Sequence, residues 1–248
     1  MPLLGAAAAG VVAAAGSLAY AVRGRSSSLF GASVYRGDRS RPRLALTFDD
    51  GPSESTPTLL DILAGQNVPA TFFMCGKNVR RCPKIARQVV AAGHEIGNHT
   101  DTHAKLYGRS PEFIYGEMAV AQETIVQVTG VTPKLFRAPY GARWFGVGNA
   151  QRRLGLLGVM WTVIGRDWKW PAARVSRRLL AHSSNGAILC LHDGRQTRRA
   201  PDIRATIEAL ETVLPELKDR GFQFETVSEM LRISPVRTAG DRSRSQPI

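Results

Sequence analysis

Cysteine is scarce. The 248 residues hold three, Cys75, Cys82 and Cys190, with no C-x-x-C pair and no metal-ligand spacing, which argues against a thiolate metal site. Cys190 lies inside an apolar run and reads as a buried thiol. Cys75 and Cys82 are near enough in sequence for a bridge only if the fold brings them together, and the sequence leaves that open. Acidic residues are also short, 20 against 33 Lys and Arg, for a net charge of +13. Such an excess suggests nucleic acid, but its location argues otherwise. Residues 1–43 hold six Arg and one Asp (+5) and residues 232–248 four Arg and one Asp (+3), which leaves +5 for everything between. Basic flanks favour an anionic membrane or wall, and no nucleic-acid partner is expected. No internal repeat is visible, and 44% hydrophobic residues suffice for one good-sized core. One catalytic domain, acting as a monomer, is the economical reading.

From Leu3 to Val22 the chain carries no charge. The run is long enough to span a bilayer, though Ala and Gly make it a weak span. Segment 1–22 is therefore read as a signal peptide, with a small-residue site at Ala19 to Ala21, or as an uncleaved anchor. Membrane attachment or secretion, with an extracytoplasmic domain, is the expectation. Arg23 and Arg25 after the run oppose it, because the positive-inside rule would leave the downstream domain in the cytoplasm. Residues 23–42 are rich in Arg, Ser and Gly and read as a basic linker, and residues 234–248 as a disordered basic tail.

Between them, strand and helix signals alternate. Leu44 to Phe48, Ala70 to Met74, His94 to Gly97, Leu135 to Arg137, Leu157 to Trp161, Ala187 to Leu191 and Phe222 to Thr226 read as strands. Helices are expected at Thr56 to Ala64, Pro83 to Ala92, Pro111 to Thr129, near Ala172 to Ala181 and at Ile203 to Arg220, with proline openers and glycine stops. Repeated βα units imply an α/β fold, a distorted parallel barrel of about seven strands with helices outside.

Ionisable residues gather where those strands end. Asp49 and Asp50 precede a Gly-Pro turn, His99 and His103 are four apart, Arg137 precedes Ala138 and Pro139, and Asp167 with Trp168 and His192 with Asp193 close later units. In parallel barrels the carboxyl ends of the strands carry the chemistry. Taken singly, each motif has a dull alternative: a turn, a surface pair, a salt bridge or a packed loop. Taken together, they make sense chemically. On a helical turn His99 and His103 would share a face, and Asp50 would complete a His-His-carboxylate set with an open position for water. Zinc lowers the pKa of such a water to about 7. Asp49 would then serve as base, Arg137 would hold it ionised, and His192 could protonate a leaving amine. His94-Glu-Ile-Gly-Asn98 only begins like H-E-x-x-H, and Gly97 argues against helix, so His94 reads as structural.

On these residues the chain resembles the polysaccharide deacetylases, carbohydrate esterase family 4, over residues 43–233 and through all five family motifs in order. The resemblance implies a metal-dependent deacetylase that removes N-acetyl groups from peptidoglycan or chitin-like polysaccharide, with an acetylated polysaccharide or oligosaccharide as its partner. It implies Asp49 as base, Asp50, His99 and His103 as ligands of one divalent ion, zinc or else cobalt or another, and Arg137 as the tether of the base. It further implies that the Tyr140 backbone N–H holds the oxyanion, that Asp167 tunes the acid His192, and that Leu191 and Trp168 line the pocket for the acetyl methyl. Two positions depart from the family pattern: Ile164 stands where an Asp is frequent, and Ala138 where Pro is common. They bear on substrate preference, since neither is a mapped ligand, acid or base. Two other classes stay open, the same site acting on acetylxylan, a lipid-linked sugar or a small amide, and a catalytically silent carbohydrate-binding protein.

Overall fold

Two-residue alternation along the central strand decides what this molecule buries and what it presents. The computed structural model describes residues 15–233. Its strands are β1 (Ser33–Val34), β2 (Arg43–Gly51), β3 (Ala70–Met74), β4 (Glu95–Asn98), β5 (Leu135–Phe136), β6 (Leu157–Val159), β7 (Val163–Ile164), β8 (Ala187–His192) and β9 (Gln223–Phe224). They form one sheet in the order β1-β6-β5-β4-β3-β2-β8-β7, with β9 beside β2, and every ladder is parallel. In β2, Leu44, Leu46 and Phe48 enter the large core with Leu59 and Leu63 of one helix and Leu210, Val213 and Leu214 of another. Each such fully buried side chain contributes about 1.5–3 kcal/mol. Ala45 points the other way, into an inner cluster with Phe73, Leu135, Val159 and Ile188. Thr47 and Asp49 share that inner face.

The expected barrel of βα units is present, with β1 and β7 added to the seven strands read from sequence. Besides the helical residues 15–23, the helices are Thr56–Gly65, Gly76–Arg81, Pro83–Ala91, Pro111–Thr129, Val147–Leu154, Ala172–His182, Arg204–Asp219 and Val227–Leu231. The 19-residue helix Pro111–Thr129 starts where Ser110 accepts a hydrogen bond from Phe113 N and stops at Gly130 with φ 74°, a left-handed stop that glycine adopts without a Cβ penalty. Short helices Gly76–Arg81 and Val227–Leu231 have too few turns to show periodicity in sequence.

The stretch 23–42 is not a linker throughout: β1 pairs with β6, Phe30 is buried, and Arg143 Nη1 donates to Ser27 O and Ser33 Oγ. Its contacts mix backbone hydrogen bonds, side-chain bonds from Arg25, Arg36 and Arg41, and the scattered apolar anchors Phe30 and Val34, which leave no hydrophobic period. Cys75 and Cys82 are free thiols flanking the two ends of helix Gly76–Arg81. Of the apolar segment 1–22, residues 1–14 lie outside the described residues, as does the tail 234–248; among the described residues no helix is long and apolar enough to cross a membrane.

Candidate active site

The register of β2 against β8 sets Asp49 directly beside His192, and the same two-residue alternation that aims Thr47 and Asp49 inward aims Cys190 and His192 inward. Asp50 should then face the helices. A bulge between Asp49 and Gly51, with Asp50 at φ 75°, breaks the alternation and turns its carboxylate to the same mouth. Gly51 is needed there, because a Cβ would collide with the Asp193 carboxylate. Asp193, although adjacent to His192, accepts from Thr56 Oγ1 at 2.8 Å and braces β8 against helix Thr56–Gly65 rather than lining the cavity.

Asp50 Oδ1 lies 3.0 Å from His103 Nε2 and 3.3 Å from His99 Nε2, while its Oδ2 accepts from Gln196 N at 2.7 Å. Burial alone would raise its pKa, but the two imidazoles beside it outweigh that and hold the carboxyl well below the usual range. The histidines do not sit on a helical turn, contrary to expectation. They stand on a loop after β4 in which Thr100 has φ 66° and His103 φ 59°. Asn98 Oδ1 accepts from Thr100 N, Thr102 N donates to Glu117, and the Thr100 and Asp101 carbonyls accept from Gly76 N and Lys77 N. These tertiary contacts bring the imidazole centroids within 5.0 Å of each other.

Asp49 Oδ1 accepts from Arg137 Nη1 at 2.6 Å. Arg137 is fully buried and also donates to Thr47 Oγ1, Val159 O and Met160 O, with its guanidinium 4.1 Å from the Phe73 ring centroid. A charge so saturated cannot swing away. His192 Nδ1 is 2.9 Å from Asp167 Oδ1, Asp167 Oδ2 accepts from His192 N, and Thr206 Oγ1 donates to that same oxygen. Burial opposes a charged His192, yet the Asp167 carboxylate outweighs it and raises the pKa to about 9.

Asp49, Asp50, His99, His103, Asp167 and His192 share a cavity of about 1030 Å³, together with Ala138, Tyr140, Trp161, Ile164 and Trp168. Residues 36–159 match the family profile described as "Polysaccharide deacetylase". A chitooligosaccharide deacetylase of Bradyrhizobium sp. is 38% identical over 78% of this chain and 93% of its own length. The chain belongs to the polysaccharide deacetylase family. The peptidoglycan-N-acetylglucosamine deacetylase PgdA of Listeria monocytogenes is 36% identical over 77% of this chain, which matches only 39% of that longer protein. Among solved structures, the Bc1960 peptidoglycan N-acetylglucosamine deacetylase superposes with a TM-score of 0.77 at 30% identity, over 83% of this chain and 95% of that one.

Of the ten site residues expected from sequence, nine reach this family's cavity or the side chains that line it. Leu191 does not. It is fully buried in the outer core, because it sits one residue before His192 and alternation aims it at the helices. Trp161 and Ile164 line the cavity in its place. Trp168 is half exposed, with its ring edge-on to His192 at 4.9 Å. Tyr140, at φ 58° in a short 3₁₀ turn, stands edge-on to His103 at 4.7 Å. His94 is structural, as expected: its Nδ1 accepts from Ala70 N.

Sequence reasoning missed Thr47, Cys190, Thr206 and Gln196. Thr47 and Cys190 each precede a site residue by two on an inward strand face, a detectable signal; Cys190 Sγ lies 3.4 Å from Asp49 Oδ2. Nothing local marks Thr206 or Gln196.

The residues fit a divalent ion. Asp50 Oδ1 and His103 Nδ1 are buried without a hydrogen-bond partner, and His99 Nδ1 is committed to Arg137 O at 2.7 Å, which leaves Nε2 as a ligand nitrogen. Asp50, His99 and His103 offer three ligand atoms within 4.8 Å of one another, a donor set that suits zinc.

Proposed function

We propose that the chain hydrolyses N-acetyl groups of N-acetylhexosamine units in a polysaccharide or glycoconjugate, of peptidoglycan or chitin type. The observation that carries this reading is the in-register pair Asp49 and His192, each fixed by its own buried partner, beside an Asp-His-His set. Asp50, His99 and His103 would hold the ion, zinc by preference, which supplies Lewis acidity to the acetyl carbonyl and acidifies water. A water beside Asp49 loses its proton to that carboxylate as it attacks the carbonyl carbon. Arg137 keeps Asp49 ionised and aimed. The Tyr140 backbone N–H donates to the oxyanion that forms on the substrate, and Trp168 packs beside the acetyl group. His192, held by Asp167 through Nδ1, gives the proton on Nε2 to the amine nitrogen as the C–N bond breaks. Attachment through the apolar segment before Arg23, outside the cytoplasm, is part of the same proposal.

Acetate release from N-acetylated chitooligosaccharide, peptidoglycan, acetylxylan and small amides, assayed side by side, tests the reading; no release from either glycan would remove it. Metal analysis of His99→Ala should show most of the bound divalent ion lost, and undiminished zinc would defeat the ligand assignment. Because His192 must be protonated to act, amide hydrolysis should fall as pH rises through about 9. Asp167→Asn removes the anion that sustains that proton and should move this falling limb to lower pH. An unmoved limb would assign the titration to another group.

A further inference from the structure

The mouth of the cavity carries a charge that the acetyl chemistry does not use. Arg23, Lys169, Arg198 and Arg199 line it, all four are exposed, and none makes an ion pair among the described residues. The lining carboxylates are already engaged: Asp49 by Arg137, Asp167 by His192, Asp202 by Arg204, and Asp50 by the two imidazoles. The rim therefore holds four cations outside any ion pair among the described residues, with the Glu54 carboxylate acting on Arg199 from a distance. Three separate segments supply these cations: the end of the helical residues 15–23, the loop after β7, and the loop after β8.

The last of these is held along its length. Gln196 N donates to Asp50 Oδ2, Asn78 Nδ2 donates to Gln196 O at 2.8 Å, Arg81 donates to Thr197 O and Arg198 O, and Ala200 N donates to Glu54. Arg198 and Arg199 thus project from fixed backbone, which lowers the ordering cost of meeting an anion. Guanidinium groups match carboxylate and phosphate oxygens in pairs, and a cleft with one sign of charge concentrates ligands of the other sign. A neutral chitin-like chain would leave this charge unanswered.

We infer that the preferred substrate is an N-acetylated saccharide bearing a carboxylate or phosphate on or next to the reacting sugar, with Arg198, Arg199, Lys169 and Arg23 as its counter-charge. This rests on the deacetylase reading above and narrows its substrate class.

Three probes test it: the disaccharide of N-acetylglucosamine, its reducing-end aldonate and its 1-phosphate. Binding and kcat/KM should each favour the anionic compounds by about 10-fold or more at low salt, and the ratio should approach one near 1 M salt, where the Debye length is about 3 Å. Arg198→Ser with Arg199→Ser should lower the ratio several-fold. Arg39→Ser with Arg220→Ser, which removes the same charge at the opposite ends of the strands, should keep it. Equal binding of all three probes, or an equal fall in the remote variant, overturns the inference. The aldonate and phosphate arms show which anion is favoured. Preferential anion binding without acetate release from any probe would keep the anion-binding rim and remove the deacetylase reading on which the substrate assignment rests.

Discussion

Asp49→Asn should lower N-acetyl hydrolysis by about 10² to 10⁴, the usual cost of losing a general base, while the protein keeps its bound metal. Asn preserves the shape of the side chain and can still accept from Arg137, but it cannot take a proton from water. It also leaves the fully buried Arg137 guanidinium without its counter-charge. Breaking a buried pair in this way costs up to about 3–5 kcal/mol, so a lower melting temperature should accompany the loss of turnover. The control is Asp50, whose ligand atoms are untouched by the change. A metal-loaded, fully active Asp49→Asn protein would move the base elsewhere.

His192→Ala should separate two kinds of substrate. An amine leaves an amide only when protonated, whereas an activated aryl ester expels a weakly basic leaving group with little need of an acid. Loss of His192 should therefore depress N-acetyl hydrolysis by about 10² or more and aryl acetate hydrolysis much less, with metal content unchanged. His192 is not one of the three residues of the Asp50, His99 and His103 grouping, so the ion assigned to that set should stay bound. Equal losses on both substrates would make His192 a positioning residue and require another acid.

Much of the site was legible because strand ends are local. An apolar run that stops at an ionisable residue can be read without knowing the fold, and Asp49, Asp50, Arg137 and His192 each stand at such a stop. The His99 and His103 spacing was read correctly as a pair but for the wrong reason. Four-residue spacing points to a helical face, whereas the pairing comes from a loop pinned by Asn98, Glu117 and the start of helix Gly76–Arg81. Leu191 was misread because its neighbour in sequence points to the opposite face. The strand β1 was hidden because two residues whose pairing is mainly backbone hydrogen bonding leave no side-chain pattern.

The sequence by itself determined the order of βα units, the strand ends at which ionisable residues gather, and the residue types able to bind a divalent ion and move protons. Those properties follow from composition and periodicity along short stretches. Only the tertiary structure decided that β2 lies against β8 in the register that sets Asp49 beside His192, that a bulge turns Asp50 to the same side, and that cations from three segments meet at one mouth. Each of these depends on where segments far apart in sequence come to rest, which is set by burial of the helix-facing core and by long-range hydrogen bonds that no local pattern encodes.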